Sequence, residues 1–134
     1  MISVDTNILL RLLLYDDETQ AKAAERLVVR ARRDRTPIWI SDIVLCELVW
    51  VLTRRVGLAR ADIADALDQL LRTELIVVSD AGAADRALAA YRVGKGDFAD
   101  YLIREQSRAA GASGVATFDR VLKGEDGFRV LTPS

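Results

Sequence analysis

Two rhythms of apolar positions alternate along this chain: short β-type runs, and longer stretches with an apolar residue at every third or fourth position. Residues 2–4 open it as a strand, and Thr6-Asn7 leads into an apolar helical run over 8–14. After a polar break at Asp16-Asp17-Glu18, Ala21, Ala24, Leu27, Val28 and Ala31 recur at helical spacing toward a cationic end at 30–35 that suits the helix dipole. Thr36-Pro37 stops this helix, and Ile38-Trp39-Ile40 is a second strand. Ser41 or Asp42 caps a helix over 43–56, which ends on Arg54-Arg55 before Gly57. Its apolar residues run round almost the whole circumference, so it is expected to be buried on several sides, in part against another subunit. Further helices are predicted over 61–71, 81–93 and 97–110, the last introduced by Gly94-Lys95-Gly96, with strands over 75–78, 115–117 and 128–131.

This alternation predicts an α/β fold with a central, mainly parallel sheet flanked by helices on both faces. No repeat, linker or low-complexity segment interrupts it, so residues 1–134 are read as a single domain. A chain of this length can bury roughly two thirds of the surface its unfolded form exposes. A hydrophobic content of 51%, with only 2 Pro and 8 Gly, excludes a disordered class.

Composition narrows the chemistry mainly by what is missing. The chain has no His, which excludes imidazole acid–base catalysis, His-dependent triads and His-ligated zinc. The single cysteine, Cys46, lies in an apolar run with no partner for an intrachain disulfide, which suits inert core and a reducing compartment. A net charge of -1 offers no global cationic field to attract nucleic acid, so any such attraction must be local. Arg dominates the cations, a bias that suits phosphate contacts but that a GC-rich genome produces as well, and the genomic account is the stronger. The apolar run over 8–15 follows an Asp rather than basic residues, contains Arg11 and is too short to span a bilayer. A cytoplasmic protein without a membrane segment is therefore expected, and its chemistry must rest on carboxylates.

In open α/β sheets ligands bind beyond the carboxyl ends of the strands, so acids that end strands or begin helices carry the interest. Asp5 closes the first strand, Asp97 and Asp100 open the helix after Gly96, and Asp119 follows the strand over 115–117. Each has an ordinary reading: Asp5 as a helix cap or Asx turn, Asp97 and Asp100 as first-turn acids on one helix face, Asp119 as a turn residue. Glu47 is harder to explain, because every other position over 43–52 is apolar. Burial is expected for it, and a buried carboxylate needs either a cation or an ion pair, for which Arg11 and Arg54 are the candidates. If these four sites meet at one sheet edge, their mutual repulsion calls for a hard divalent ion such as Mg²⁺, which takes oxygen ligands and needs only one or two carboxylates directly. Such a centre can activate water for phosphodiester hydrolysis without histidine or cysteine.

In order and separation, Val4-Asp5-Thr6-Asn7, the mid-helix Glu47, the run from Asp97 through Asp100-Tyr101-Leu102-Ile103, and Thr117-Phe118-Asp119 resemble the four acidic motifs of PIN domains, across nearly the whole chain. The resemblance implies a PIN-like fold and a VapC-type toxin of a type II toxin–antitoxin pair. Such a toxin is an endoribonuclease dependent on Mg²⁺, with Mn²⁺ as a substitute, usually homodimeric and held inactive by a cognate VapB antitoxin. Carried over by position, Asp5, Glu47, Asp100 and Asp119 form the catalytic quartet, with Asp5 and Asp100 as direct metal ligands. Asp97, one helical turn before the second ligand, either shares the metal or caps the helix. Thr6, Asn7 and Thr117 would orient carboxylates or waters, with turn and cap chemistry as their other reading. The family's antitoxins lay a tail along a groove between the early helices. The runs over 8–14 and 43–52 suit that groove or the subunit interface, although core packing accounts for most of their side chains. Arg104-Glu105-Gln106 departs from the small apolar residues common at this point in the family.

Two other readings compete. A receiver-like phosphoacceptor also gathers acids around Mg²⁺, but no Asp-Asp pair follows the first strand, and Thr117-Phe118-Asp119 stands where a receiver supplies lysine. A haloacid-dehalogenase-type phosphatase would want Asp-x-Asp, and Asn7 occupies the second place. The remaining alternative is a non-catalytic PIN-like interaction module that retains the acids as caps and ion pairs.

Overall fold

The computed structural model describes residues 1–133, whose contacts cluster into two compact units, Met1–Ala81 and the segment from Gly82 onward. The first unit runs β1 (Ile2–Ser3), α1 (Thr6–Leu14), α2 (Glu18–Asp34), β2 (Ile38–Ile40), α3 (Asp42–Val51), a π-helical turn (Leu52–Val56), α4 (Arg60–Arg72) and β3 (Ile76–Val78). Its three strands lie in the order β1-β2-β3, every pair parallel, with Ile2 opposite Ile38 and Ile38 opposite Ile76. Parallel neighbours need long crossovers, which α1 with α2, and α3 with α4, supply. The central strand is the buried one: Ile38 and Ile40 are in the core, together with Leu9, Leu10, Leu45, Leu48, Leu52, Ile63 and Leu67.

Helix starts follow local side-chain chemistry. Asp5, Asp17 and Ser41 each accept a hydrogen bond from a backbone N–H in the first turn of α1, α2 and α3, meeting part of the donor deficit at a helix N-terminus. The long helix expected over 43–56 instead widens into a π turn at Leu52, where Thr53 Oγ1 also donates to the Val49 carbonyl at 2.7 Å. Gly57, at φ +76°, ends it.

The second unit holds α5 (Ala81–Val93), α6 (Phe98–Ala109), β4 (Val115–Thr117), a 3₁₀ turn (Arg120–Leu122) and β5 (Phe128–Val130). β4 and β5 pair in parallel, with Val115 opposite Phe128. Its core contains Ala84, Ala87, Leu88, Tyr91, Phe98, Tyr101 and Leu122, and the Tyr91 and Phe98 rings meet edge to face at 6.3 Å. Glu105, almost fully buried, accepts from Arg86 at 2.8 Å, Arg104 at 3.0 Å and Arg108 at 3.1 Å. Arg104 and Arg108 bond onward to Asp126, tying α6 to the turn before β5. Arg104 and Glu105, two residues of the triplet that departs from the family pattern, thus form part of the internal brace of this unit.

The α/β class with parallel strands is as expected, although the strands form a three-stranded and a two-stranded sheet. Two burial expectations are corrected. Glu47 is exposed, not buried, and makes no ion pair among the described residues; Arg11 turns instead to Asp16 and Gln20. The reason is that α3 carries more apolar surface than this chain covers: Ile43 is 79% exposed and Trp50 52%, and with Glu47 they form one outward face at i, i+4 and i+7. An apolar circumference therefore did not entail burial all round. Cys46, expected as inert core, is half-buried.

Candidate functional site

In the first unit, Asp5 stands between β1 and α1 as the N-cap, its Oδ1 accepting from the Ile8 N–H at 3.2 Å. The cap reading is thus correct, and it occupies one carboxylate oxygen. Thr6 follows at 4% exposure, and its hydroxyl is buried without a hydrogen-bond partner among the described residues. An orphaned polar atom of this kind costs on the order of 1–3 kcal/mol unless something completes it. Asn7 is exposed in the same turn, and Glu47 is exposed on α3.

In the second unit the acids form one electrostatic neighbourhood. Asp97 is the N-cap of α6, and its backbone N–H donates to Asp100 Oδ2 at 2.9 Å, the reach-back arm of a capping box. Asp119 caps the 3₁₀ turn with Oδ1, accepting from the Val121 N–H at 3.0 Å, while its own N–H donates to Thr117 Oγ1 at 3.0 Å. Thr117 therefore sets the backbone that carries Asp119. Burial pushes the Asp100 carboxyl above its usual range; the Asp97 N–H pulls the other way, and the negative charges of Asp97, Asp119 and Glu125 add to the rise. Ionising Asp100 is thus disfavoured by both desolvation and like charge, and a divalent cation relieves both.

The oxygen inventory fits such an ion. Asp5 in the first unit, and Asp100 and Asp119 in the second, each spend one carboxylate oxygen on a backbone N–H, and their carboxylates have no other hydrogen-bond or ion-pair partner among the described residues. Capping and ligation are therefore compatible in one residue. Among the described residues, no three His, Cys, Asp or Glu side chains are gathered closely enough to hold a metal between them.

Over residues 2–124 the sequence matches the PIN domain model. The chain belongs to the PIN-domain family. PIN domains form a nuclease superfamily that typically works with divalent metal, which places this domain among hydrolases of nucleic acid. The match sets aside the receiver and dehalogenase readings. No individually curated protein matches the chain. Among the described residues, no helix is long and apolar enough to cross a membrane.

Two residues escaped the reading of the sequence. Glu125 lies one position beyond the family match, and Tyr101 reads in the sequence only as part of the helix that follows Asp97. Their significance comes from a contact across 24 positions, which no local pattern encodes.

The first unit also contains an apolar groove of about 230 Å³, lined by α1, α2, α4 and β3, with Ile8, Leu12, Leu13, Val28, Leu70 and Ile76 on its walls. Of the two apolar runs, that over 8–14 contributes Ile8, Leu12 and Leu13 to its walls, whereas α3 takes no part in it.

Proposed function

We propose that this PIN domain is a Mg²⁺-dependent endoribonuclease, active also with Mn²⁺, and the toxin of a type II toxin–antitoxin pair of the VapC kind. The observation that carries the reading is Asp100: half-buried, capped by the Asp97 N–H through one oxygen, and held among the charges of Asp97, Asp119 and Glu125. Asp5 and Asp100 would hold the ion directly, each through the oxygen not spent on a helix cap. Asp119 and Glu47 complete the acidic quartet, and Asp97 supports Asp100 from one turn away. The buried Thr6 hydroxyl, with Asn7 beside it, would orient Asp5 or its waters, and Thr117 does the same for Asp119 through its backbone. A divalent ion held there would supply charge neutralisation and would activate water for phosphodiester hydrolysis. With no His available, the proton that leaves the attacking water passes to one of these carboxylates or to solvent.

The protein works in the cytoplasm and as a homodimer in this reading. The groove walled by α1, α2 and α4 takes an apolar helical or extended tail of the VapB-type antitoxin, and Arg32 and Glu74 at its lining offer polar anchors.

One observation favours the non-catalytic module instead: the missing three-ligand cluster among the described residues. Induced expression separates the two readings. The wild type arrests growth and generates new 5′ ends in a defined set of RNAs, whereas Asp5→Asn and Asp100→Asn do neither. Arrest by either variant removes that residue from the site, and a wild type with neither arrest nor new ends is a binding module.

A further inference from the structure

The loop that delivers Asp97 and Asp100 is held by a phenol–carboxylate pair. Tyr101 Oη lies 2.6 and 2.8 Å from the two oxygens of Glu125, to which it donates its single proton, and it accepts from the Gly96 N–H at 2.9 Å. Glu125 Oε2 also accepts from the Lys95 N–H at 3.4 Å, and the Asp97 N–H is taken by Asp100. Three consecutive backbone donors, at 95, 96 and 97, thus end on Glu125, Tyr101 and Asp100.

Glycine makes this approach possible. A Cβ on Gly94 would overlap the Tyr101 hydroxyl, and one on Gly96 would stand 2.5 Å from Leu122 Cδ2 and 3.2 Å from the Tyr101 ring. The Gly94-Lys95-Gly96 segment therefore serves to press the backbone against the phenol rather than simply to break a helix. Tyr101 itself is fully buried in α6, directly after Asp100. Glu125 follows the 3₁₀ turn that Asp119 caps, and its N–H bonds the Leu122 carbonyl at 3.0 Å. One carboxylate thereby links the Asp119 turn to the Asp97–Asp100 segment.

We infer that Tyr101 and Glu125 are positioning residues of the metal site: their hydrogen bond fixes the loop before α6 so that Asp97 and Asp100 present their carboxylates in one geometry, registered to Asp119. The inference rests on the proposed role of Asp100 as a metal ligand. Neither residue touches the metal; they act through the backbone of residues 95–97.

The test titrates Mn²⁺ alone into the full-length protein by calorimetry and follows amide hydrogen exchange in the same samples, for wild type, Tyr101→Phe, Glu125→Ala, Glu125→Gln and Asp100→Asn. Asp100→Asn abolishes binding. Tyr101→Phe keeps the buried ring but loses the bond, and together with Glu125→Ala it weakens Mn²⁺ about ten- to hundredfold, the usual effect of losing a partner behind a ligand. In both variants exchange accelerates selectively at Lys95, Gly96 and Asp97. Glu125→Gln, whose amide oxygen still accepts the phenol proton, stays close to wild type in affinity and exchange. Wild-type affinity in Tyr101→Phe and Glu125→Ala, with binding lost in Asp100→Asn, overturns the clamp and leaves the proposed function standing. Glu125→Gln falling as far as Glu125→Ala also overturns it, because charge rather than position would then be at work. Undiminished binding by Asp100→Asn sinks the metal-ligand reading and the clamp with it. Should Tyr101→Phe fail to fold, the Glu125 pair decides alone.

Discussion

Replacing Glu105 with Ala is expected to destabilise the second unit by about 3–5 kcal/mol. Three charge-assisted hydrogen bonds end on this carboxylate, but the loss is not their sum, because the partners differ in access to water. The Arg86 and Arg108 side chains are 59% and 42% exposed and rehydrate once released, whereas Arg104, at 11%, stays buried with an uncompensated charge. That single stranded cation sets the scale. Its bond to the Asp126 carbonyl at 3.0 Å and its contacts with the Tyr101 and Phe128 rings at 5.2 and 5.7 Å survive, which favours the lower end of the range. In differential scanning calorimetry at neutral pH the Tm falls by on the order of 10 °C. Acid provides a second check. Burial pushes the Glu105 carboxyl up, but the Arg86 and Arg104 hydrogen bonds and the charges of Arg104 and Arg108 outweigh it and leave it below the usual carboxylate range. A depressed folded value means the stabilisation is present above the unfolded value of about 4.3 and is lost as pH falls through the folded one. The gap between wild type and Glu105→Ala should therefore be constant at neutral pH and close only in strong acid. A loss below about 1 kcal/mol, the range of an exposed pair, would refute the reasoning.

Asp100→Asn should raise the Tm of the metal-free protein. A carboxyl pushed up in the folded state contributes stability that is present below its unfolded value and lost as pH rises through the folded one, so the variant's advantage appears at neutral pH and vanishes in acid. Saturating Mn²⁺ reverses the order, since about 100 times Kd adds roughly 2.7 kcal/mol to wild type alone. Equal melting of the two metal-free proteins at neutral pH would contradict this account of the acidic cluster. Leu13→Arg, at a groove-lining side chain that is 41% exposed, should abolish antitoxin binding in a pull-down while leaving RNA cleavage intact. Retained binding would move the antitoxin elsewhere.

The elements were legible because local and tertiary preferences agree. The strand at Ile38–Ile40, the caps at Asp5 and Ser41, and the helix following Asp97 all sit where apolar period and cap chemistry put them. Legibility failed where a residue's surroundings come from distant sequence. The apolar neighbours of Glu47 predict burial, yet whether a helix face is covered depends on what packs there, and Ile43 and Trp50 are exposed beside it. The π turn at Leu52–Val56 leaves no periodic trace over so few residues. For Asp5 and Asp100 the sequence leaves cap or first-turn chemistry and metal ligation as alternatives; the structure shows one oxygen of each on a backbone N–H, and a carboxylate with two oxygens can serve both. Glu125 and Tyr101 stayed hidden because only folding brings positions 24 apart into contact.

Cleavage of RNA by the purified, antitoxin-free protein, with and without Mn²⁺, tests the central claim most directly. Metal-dependent phosphodiester cleavage that chelator stops and Asp100→Asn lacks is the predicted result. Cleavage that persists in excess chelator, or undiminished in Asp100→Asn, would contradict it.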